Sequence, residues 1–536
     1  MPQTVIRTDS TGASESMSFA YDGSMQTGVT FTGTVNGSLG WTFDNNFWIT
    51  SESVNGSAIN FTYDNDGRLN SVGDLTITRN WQNGFLTGTA LGTIIDSYSY
   101  STFGETASYI AKVSGASVFD VQYTRDAIGR IVTKTETIGG GASGTTTVYE
   151  YSYDMVGRLT AVKEGGVTVS TYDYDANGNR ITAVTRAGTF QGFYDLQDRM
   201  TKYGDASYTY TANGERKTKN DADGVTAYSY DVFGNLRSVA LPDGTSVEYI
   251  IDASNRRIGK KVNGSLVQGF IYKDQLEPVA ELDGAGNVVA RYVYASKGHV
   301  PDYMIKGGVT YRIISDHLGS VRLVVNSTDS SIAQRIDYDE FGNIVNDTNP
   351  GFQPFAFAGG IYDQHTKLTR FGARDYDAYA GRWTSKDPIG FAGGDLNLYG
   401  YVLNDPVNWV DIAGLEVSKA LVPDFLLENA KKAATNLTDN AFSPEELSLL
   451  EEMGLKSTGK LWGDFTIADA LKLKDFPWWA KSCTISKDED SAINDFMSAM
   501  SNNYSDREKY PKESKLLNKA KTEYKRAKDK GRIKVK

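Results

Sequence analysis

A single cysteine, Cys483, stands in the 536 residues. An intrachain disulfide and a cysteine-based metal cluster are therefore excluded. Histidine is almost as scarce: there are three, His299, His317 and His365, and none follows Leu415. The region after Leu415 thus lacks the histidines that a zinc deaminase, a His-metal nuclease or a Cys-His nucleophile pair would need. No run of about 18 apolar residues occurs, so no membrane-spanning helix is expected. Residues 1–30 lack the basic start and apolar stretch of a signal peptide. An export signal, for a protein that leaves the cell, would lie on an upstream segment or be read by a dedicated secretion machine. The net charge of −11 argues against nucleic-acid binding by the chain as a whole. No motif for a cofactor is read, and none is expected.

Glycine (54) and tyrosine (32) are abundant, a composition that suits many strands joined by tight turns. A repeat accounts for both. Its unit is an aromatic-polar strand, then Tyr-Asp, two residues, Gly, and Arg or Asn before an apolar residue. Clear copies begin at Tyr63, Tyr153, Tyr174 and Tyr230, and weaker ones at Tyr123, Tyr194, Tyr210 and Ile251. From Tyr153 onward the starts fall at 153, 174, 194, 210, 230 and 251, the spacing of a repeat architecture. Alternation such as Tyr149-Glu150-Tyr151-Ser152-Tyr153 puts aromatics on one face of a strand. Asp-x-x-Gly then supplies a turn, since glycine takes positive φ readily and aspartate bonds its own backbone. One hairpin of this kind is not stable alone, and stacking on the next buries its aromatic face. The expectation is a long antiparallel ribbon over residues 1–270, in which the repeated aspartates hold turns.

Residues 271–415 keep strand character but exchange the plain repeat for short specific motifs. At Leu415 the composition changes. Residues 416–536 hold 22 Lys and Arg against 20 Asp and Glu, whereas the preceding residues hold 33 against 46. Ser443-Pro444-Glu445-Glu446 reads as an N-cap, a first-turn proline and a capping-box glutamate, and that helix stops at Gly454. Segments near 417–437, 466–475, 488–503 and 511–530 also read as helices. Trp478-Trp479 reads as a core apolar knot, and Cys483 as a small buried residue. The last 30 residues carry 13 Lys and Arg against 4 acids. The default for such a run is a solvated helix face, and the alternative is attraction to phosphate backbones of nucleic acid.

One motif series points further. Asp316-His317-Leu318-Gly319-Ser320-Val321-Arg322 is followed by Tyr338-Asp339-Glu340-Phe341-Gly342 and by Pro354-Phe355-Ala356-Phe357-Ala358-Gly359. Next come Phe371-Gly372-Ala373-Arg374-Asp375-Tyr376-Asp377 and Gly381-Arg382-Trp383, then Asp387-Pro388-Ile389-Gly390, Asn397-Leu398-Tyr399, Asn404-Asp405-Pro406 and Asp411-Ile412-Ala413-Gly414-Leu415. This ordered series resembles the Rhs repeat-associated core, and with the repeats the resemblance covers residues 60–415. It implies a β cage of spiralling YD repeats capped by the core segment, with a variable C-terminal cargo, in many members a toxin. It further implies self-cleavage between Leu415 and Glu416 by an aspartate pair, Asp387 and Asp411, with Arg382 assisting. A secretion apparatus, a cognate immunity protein and delivery to a target cell are implied in the same way. The series departs from the family pattern where Ile412 occupies a position that usually holds proline, where Asp363-Gln364-His365-Thr366 replaces an acidic Glu-Thr variant, and where Tyr376-Asp377-Ala378 lacks a usual proline.

The chemistry is sound in itself. Hydrolysis by paired carboxyls needs one to activate water and one to donate a proton, and two close carboxyls share a proton because both cannot ionise cheaply. Taken alone, Asp387 and Asp411 are ordinary turn residues; within the motif series they are read as catalytic, in a single-turnover self-cleaving peptidase. The leading expectation is therefore the C-terminal part of a polymorphic toxin of bacterial competition, mainly β with a small helical cargo at 416–536. The alternative is a YD-repeat surface protein of adhesion or glycan binding, with an inert tail.

Overall fold

The computed structural model describes residues 3–8, 12–139 and 144–419, together with the short strands Cys483–Ile485 and Ile533–Val535. Two compact units divide after Leu421. The first is built on one 33-stranded sheet in which each strand pairs antiparallel with the next, from Thr4–Thr8 to Ile344–Asp347. This is the continuous ribbon that the repeat predicts, and it runs on past residue 270 without interruption.

The turn chemistry explains the repeat residue by residue. In Tyr153-Asp154-Met155-Val156-Gly157-Arg158, one oxygen of Asp154 accepts the N–H groups of Val156 (3.0 Å) and Arg158 (2.9 Å). Gly157 sits at φ +92°, where a side chain would be strained. Arg158 pairs with the other Asp154 oxygen at 2.6 Å and lies over the ring of Tyr174 in the following repeat, 4.9 Å from its centroid. Arg130 and Arg199 repeat the arrangement with Asp126 and Tyr153, and with Asp195 and Tyr210. The tyrosine has its own task. Tyr63, Tyr153, Tyr174, Tyr194 and Tyr210 each donate a hydroxyl hydrogen bond to the backbone carbonyl that opens an earlier strand: Ile49, Ile131, Leu159, Arg180 and Met200. At each of these tyrosines the register shifts by a bulge, which bends the strand and adds twist.

One repeat is displaced from its sequence reading. The copy placed at Tyr123 has its bulge after Thr124 and its turn at Asp126, so Arg125 occupies the tyrosine position. Arg125 donates to the Thr106 carbonyl at 2.7 Å, as a tyrosine hydroxyl would. Polar reach to that carbonyl, not aromaticity, is what the position requires there.

The ribbon returns on itself, so that distant strands meet through buried ion pairs. Arg312 joins Asp96 (2.5 Å) and Asp302 (3.1 Å), and Arg322 joins Glu136 (2.6 Å). Lys134 and Arg322 hold the Glu136 carboxyl down to about 2 against a burial that acts to raise it.

After Asp347 the chain leaves the ribbon and forms a four-stranded antiparallel sheet: Ile361–Tyr362, Thr369–Phe371, Arg374–Asp377 and Arg382–Trp383. Phe357, Phe371, Tyr376, Trp383 and Tyr401 pack here as one aromatic cluster, with Tyr376 and Tyr401 centroids 4.3 Å apart. Ion pairs fasten this segment to the ribbon, Arg216 to Asp377 (2.5 Å) and Arg257 to Asp375 (2.8 Å). Buried His317 bridges Tyr123 (3.0 Å) and the Val407 carbonyl (2.7 Å), and burial depresses its pKa. It is a packed, hydrogen-bonded histidine, as the sequence suggested. Asp363 caps a turn by accepting the N–H groups of His365 and Thr366.

In the second unit, Cys483–Ile485 pairs parallel with Ile533–Val535. The helices expected at 443–454, 466–475, 488–503 and 511–530 lie outside the described residues, as do Trp478-Trp479 and the side chains of the basic tail. Of the helix expected near 417–437, only the first residues are described. There Ser418–Lys419 is a strand paired with Trp409–Val410.

Candidate self-cleavage site

The hairpin formed by Trp409–Val410 and Ser418–Lys419 holds residues 411–417 in its connection, and the Leu415–Glu416 bond lies in that loop. Backbone contacts clamp it. The Ala413 carbonyl accepts the Ala373 N–H at 2.8 Å. Gly414 sits at φ +65°, and a Cβ there would come within 2.4 Å of the Phe371 carbonyl, so only glycine fits. Ile412 packs against the aromatic cluster.

Asp387 and Asp411, 24 residues apart in sequence, meet at one guanidinium. Arg374 Nη2 lies 2.8 Å from Asp387 Oδ2 and 2.9 Å from Asp411 Oδ2. All three side chains are buried, at 4%, 8% and 2% exposure for Arg374, Asp387 and Asp411. Arg374 also donates to the Gly414 carbonyl at 2.7 Å and lies over the Trp383 ring. Each aspartate divides its two oxygens. Oδ1 of Asp387 caps a turn at the Ile389 N–H (2.9 Å), and its Oδ2 faces Arg374. Oδ1 of Asp411 accepts the N–H groups of Leu415 (2.9 Å) and Glu416 (3.2 Å), and its Oδ2 faces Arg374. Turn chemistry and charge chemistry therefore coexist on the same side chains.

The carbonyl of Leu415 completes the picture. A Cβ on Gly393 would stand 2.6 Å from Asp387 Oδ2 and 2.6 Å from the Leu415 carbonyl oxygen, so both oxygens border the gap that glycine leaves. One aspartate thus touches the amide on the far side of the Leu415–Glu416 bond, and the other flanks its carbonyl. A small cavity of about 10 Å³ opens beside them, lined by Arg374, Asp387, Asp395, Asn397, Asp411 and Val417 among others. That is room for about one water molecule.

Burial raises the pKa of both aspartates from the ordinary carboxylate value, and Arg374 acts against it. Burial lowers that of Arg374. The site therefore holds a proton to higher pH than two exposed carboxyls would. Among the described residues no group of His, Cys, Asp and Glu is arranged to hold a metal ion.

Arg382 lies elsewhere. Its guanidinium donates to Asn179 (2.8 Å), to the Asp198 carbonyl (2.6 Å) and to Asn397 (3.1 Å), and it covers the ring of Tyr194. It forms no ion pair with Asp387 or Asp411 among the described residues. The arginine between the carboxylates is Arg374, from the Phe371-Gly372-Ala373-Arg374 motif. Nothing in spacing separates it from Arg382: both stand on neighbouring strands of the same small sheet, and only their pairing partners differ.

The sequence over residues 2–407 matches the Teneurin YD-shell family model. Among curated relatives, Teneurin-4 of Mus musculus is 35% identical over 274 residues, covering 50% of this chain and 10% of the relative. The tRNA3(Ser)-specific nuclease WapA of Bacillus spizizenii is 30% identical over 274 residues, covering 49% of this chain and 12% of that protein. The chain therefore spans about a tenth of the length of these relatives. Among solved structures, the Photorhabdus luminescens Tc holotoxin pore superposes with a TM-score of 0.64 at 15% identity, covering 76% of this chain and 23% of that one. The TcdB2-TccC3 crystal structure gives 0.59 at 16%, covering 76% and 24%. These likenesses establish a shared shell fold. With its repeat, its ribbon and a family match over most of its length, the chain belongs to the Teneurin YD-shell family as an Rhs/YD-repeat shell.

Proposed function

We propose that the chain acts as an Rhs-type toxin, whose shell severs the Leu415–Glu416 bond once and frees residues 416–536 as a cargo. The observation that carries this reading is the Arg374 bridge between Asp387 and Asp411, with Asp411 already bonded to the amide of Glu416 and Asp387 beside the carbonyl of Leu415.

The chemistry follows from those positions. Asp411, held by a guanidinium and two N–H groups, is the ionised partner, and Asp387 carries the proton. Water attacks the Leu415 carbonyl carbon and gives a proton to Asp411, while Asp387 donates a hydrogen bond to the carbonyl oxygen. Collapse breaks the C–N bond. Asp411 passes its proton to the Glu416 nitrogen, and Asp387 keeps its own. The products are a carboxyl at Leu415 and an amine at Glu416. Arg382 acts in this reading as an anchor of the segment that carries Asp387.

Mass analysis of the purified full chain beside Asp411→Asn tests it. A wild-type fragment beginning at Glu416, absent from the variant, is the expected result. An intact wild-type chain overturns the cleavage reading and favours a surface-adhesion shell with an inert tail.

For the cargo, the basic tail and the likeness to a tRNA-specific nuclease support action on nucleic acid. The likeness to Tc toxin structures supports delivery to a target cell, and a cognate immunity protein would protect the producing cell. Induction of the full chain in a bacterial host without that partner is expected to arrest growth and degrade RNA, and Asp411→Asn to abolish both effects. Growth arrest without RNA damage would exclude the nucleic-acid assignment.

A further inference from the structure

A third carboxyl borders the small cavity. Asp395 lines it together with Arg374, Asp387 and Asp411. One oxygen, Oδ1, is fixed by the N–H of Asn397 at 2.8 Å. The other, Oδ2, is buried and makes no close hydrogen bond among the described residues, although the Leu403 N–H is turned toward this carboxyl and favours its charged form. Buried polar oxygens are nearly always satisfied by protein or by ordered water, and Asp395 lines a space that fits one water. Oδ2 lies against the backbone of Gly400, where a Cβ would come within 2.7 Å of it.

We propose that Asp395 positions the attacking water. This inference rests on the cleavage reading. Oδ2 accepts one O–H of the water, Asp411 accepts the other, and the free lone pair is left to face the Leu415 carbonyl carbon. Asp395 gains and loses no proton in the step. The balance is the same as before: the water oxygen goes to Leu415 and its proton, through Asp411, to Glu416. The assignment also gives Arg382 a part in the site. Arg382 and Arg374 are the cations that face Asp395, and Arg382 bonds Asn397, the residue whose N–H fixes Oδ1. Arg382 therefore orients the turn that aims the third carboxyl.

Cell-free synthesis starts every chain uncut, so the appearance of the Glu416 fragment can be timed over a range of pH. Asp395→Ala is expected to slow it by about 100-fold, the scale of a misplaced reactant. Asp395→Asn keeps an acceptor for the Asn397 N–H and is expected to cleave faster than Asp395→Ala, with a displaced pH profile. Melting of each variant in an Asp411→Asn background measures any damage to the fold. A wild-type rate and pH profile in Asp395→Asn and Asp395→Ala overturns the proposal while leaving the dyad intact. So does a slowed Asp395→Ala whose melting point falls while Asp395→Asn cleaves as wild type does, since the residue is then structural. A wild-type chain that never cuts removes the cleavage reading itself, and this inference with it.

Discussion

At the residue scale, two arginines of one small sheet divide two tasks. Arg374 stands between buried carboxylates, whereas Arg382 holds the loop that carries them to the repeats through Asn179 and Asp198. Removing the cation from a buried pair of acids forces both to neutralise or to move apart. Arg374→Met is therefore expected to lower the cleavage rate by about 100-fold or more, the cost of losing a preorganised charge at a reacting centre. Arg382→Met, which acts only through the turn that aims Asp395, is expected to slow cleavage clearly less than Arg374→Met but to cost about 2–4 kcal/mol of stability, from hydrogen bonds made by a buried charge. Timed fragment formation and a denaturant midpoint, measured on both variants, separate the roles. Equal loss of cleavage in the two would refute the division. The motif around Arg374 was visible in the sequence, but its partnership was not, because an ion pair depends on where two strands point and not on their spacing.

At the element scale, the repeat is a unit of mutual dependence. A tyrosine hydroxyl ties its hairpin to the start of an earlier strand, the aspartate closes the turn, and the arginine covers the tyrosine of the following unit. Tyr174→Phe loses one hydroxyl bond to the Leu159 carbonyl and is expected to cost about 1 kcal/mol. Tyr153 does more. Its hydroxyl donates to Ile131 at 2.6 Å and accepts from Asn408 at 2.9 Å, linking the repeat to the core segment. Tyr153→Phe is expected to cost clearly more, about 2–3 kcal/mol, because it also leaves a buried amide with a lost partner. Urea unfolding of the two variants decides it, and equal costs would show that the link to Asn408 carries nothing. The period and the turn chemistry of this element were legible residue by residue. The displaced copy at Arg125 was not, since an arginine in the tyrosine position breaks the pattern while performing its hydrogen bond.

At the scale of the whole molecule, a chain that coils back on itself buries charge wherever its turns meet. Most of that charge is paired, but Asp405 is 2% exposed, and burial pushes its carboxyl up to about 7. The unfolded chain releases this proton at about pH 4. Between those values the folded state binds more proton than the unfolded state. Stability from this group therefore falls as pH rises from about 4 to about 7, and is constant above. His317, depressed by burial, acts in the opposite direction but is common to both proteins in a comparison. Asp405→Asn keeps an acceptor for Asn408 and removes the titration. Its unfolding free energy is expected to fall between pH 5 and pH 8 by at least about 1 kcal/mol less than that of the wild type. Parallel pH profiles would contradict this reading.

The sequence by itself determined the ribbon, its turns, the residues that repeat and the two aspartates beside a candidate scissile bond. The ribbon and its turns arise from neighbours along the chain, since alternation sets a strand face and Asp-x-x-Gly sets a turn, whereas the two aspartates and the bond beside them are what the resemblance of the motif series implies. Only the tertiary structure decided which arginine joins the aspartates, that Leu415 and Glu416 both donate to Asp411, and that Asp395 lines one small cavity with Arg374, Asp387 and Asp411. Those facts depend on how the loops and strands between residues 374 and 417 fold onto one another. Coulomb attraction and hydrogen-bond geometry act through space over a few ångströms, and no spacing along the chain encodes that distance.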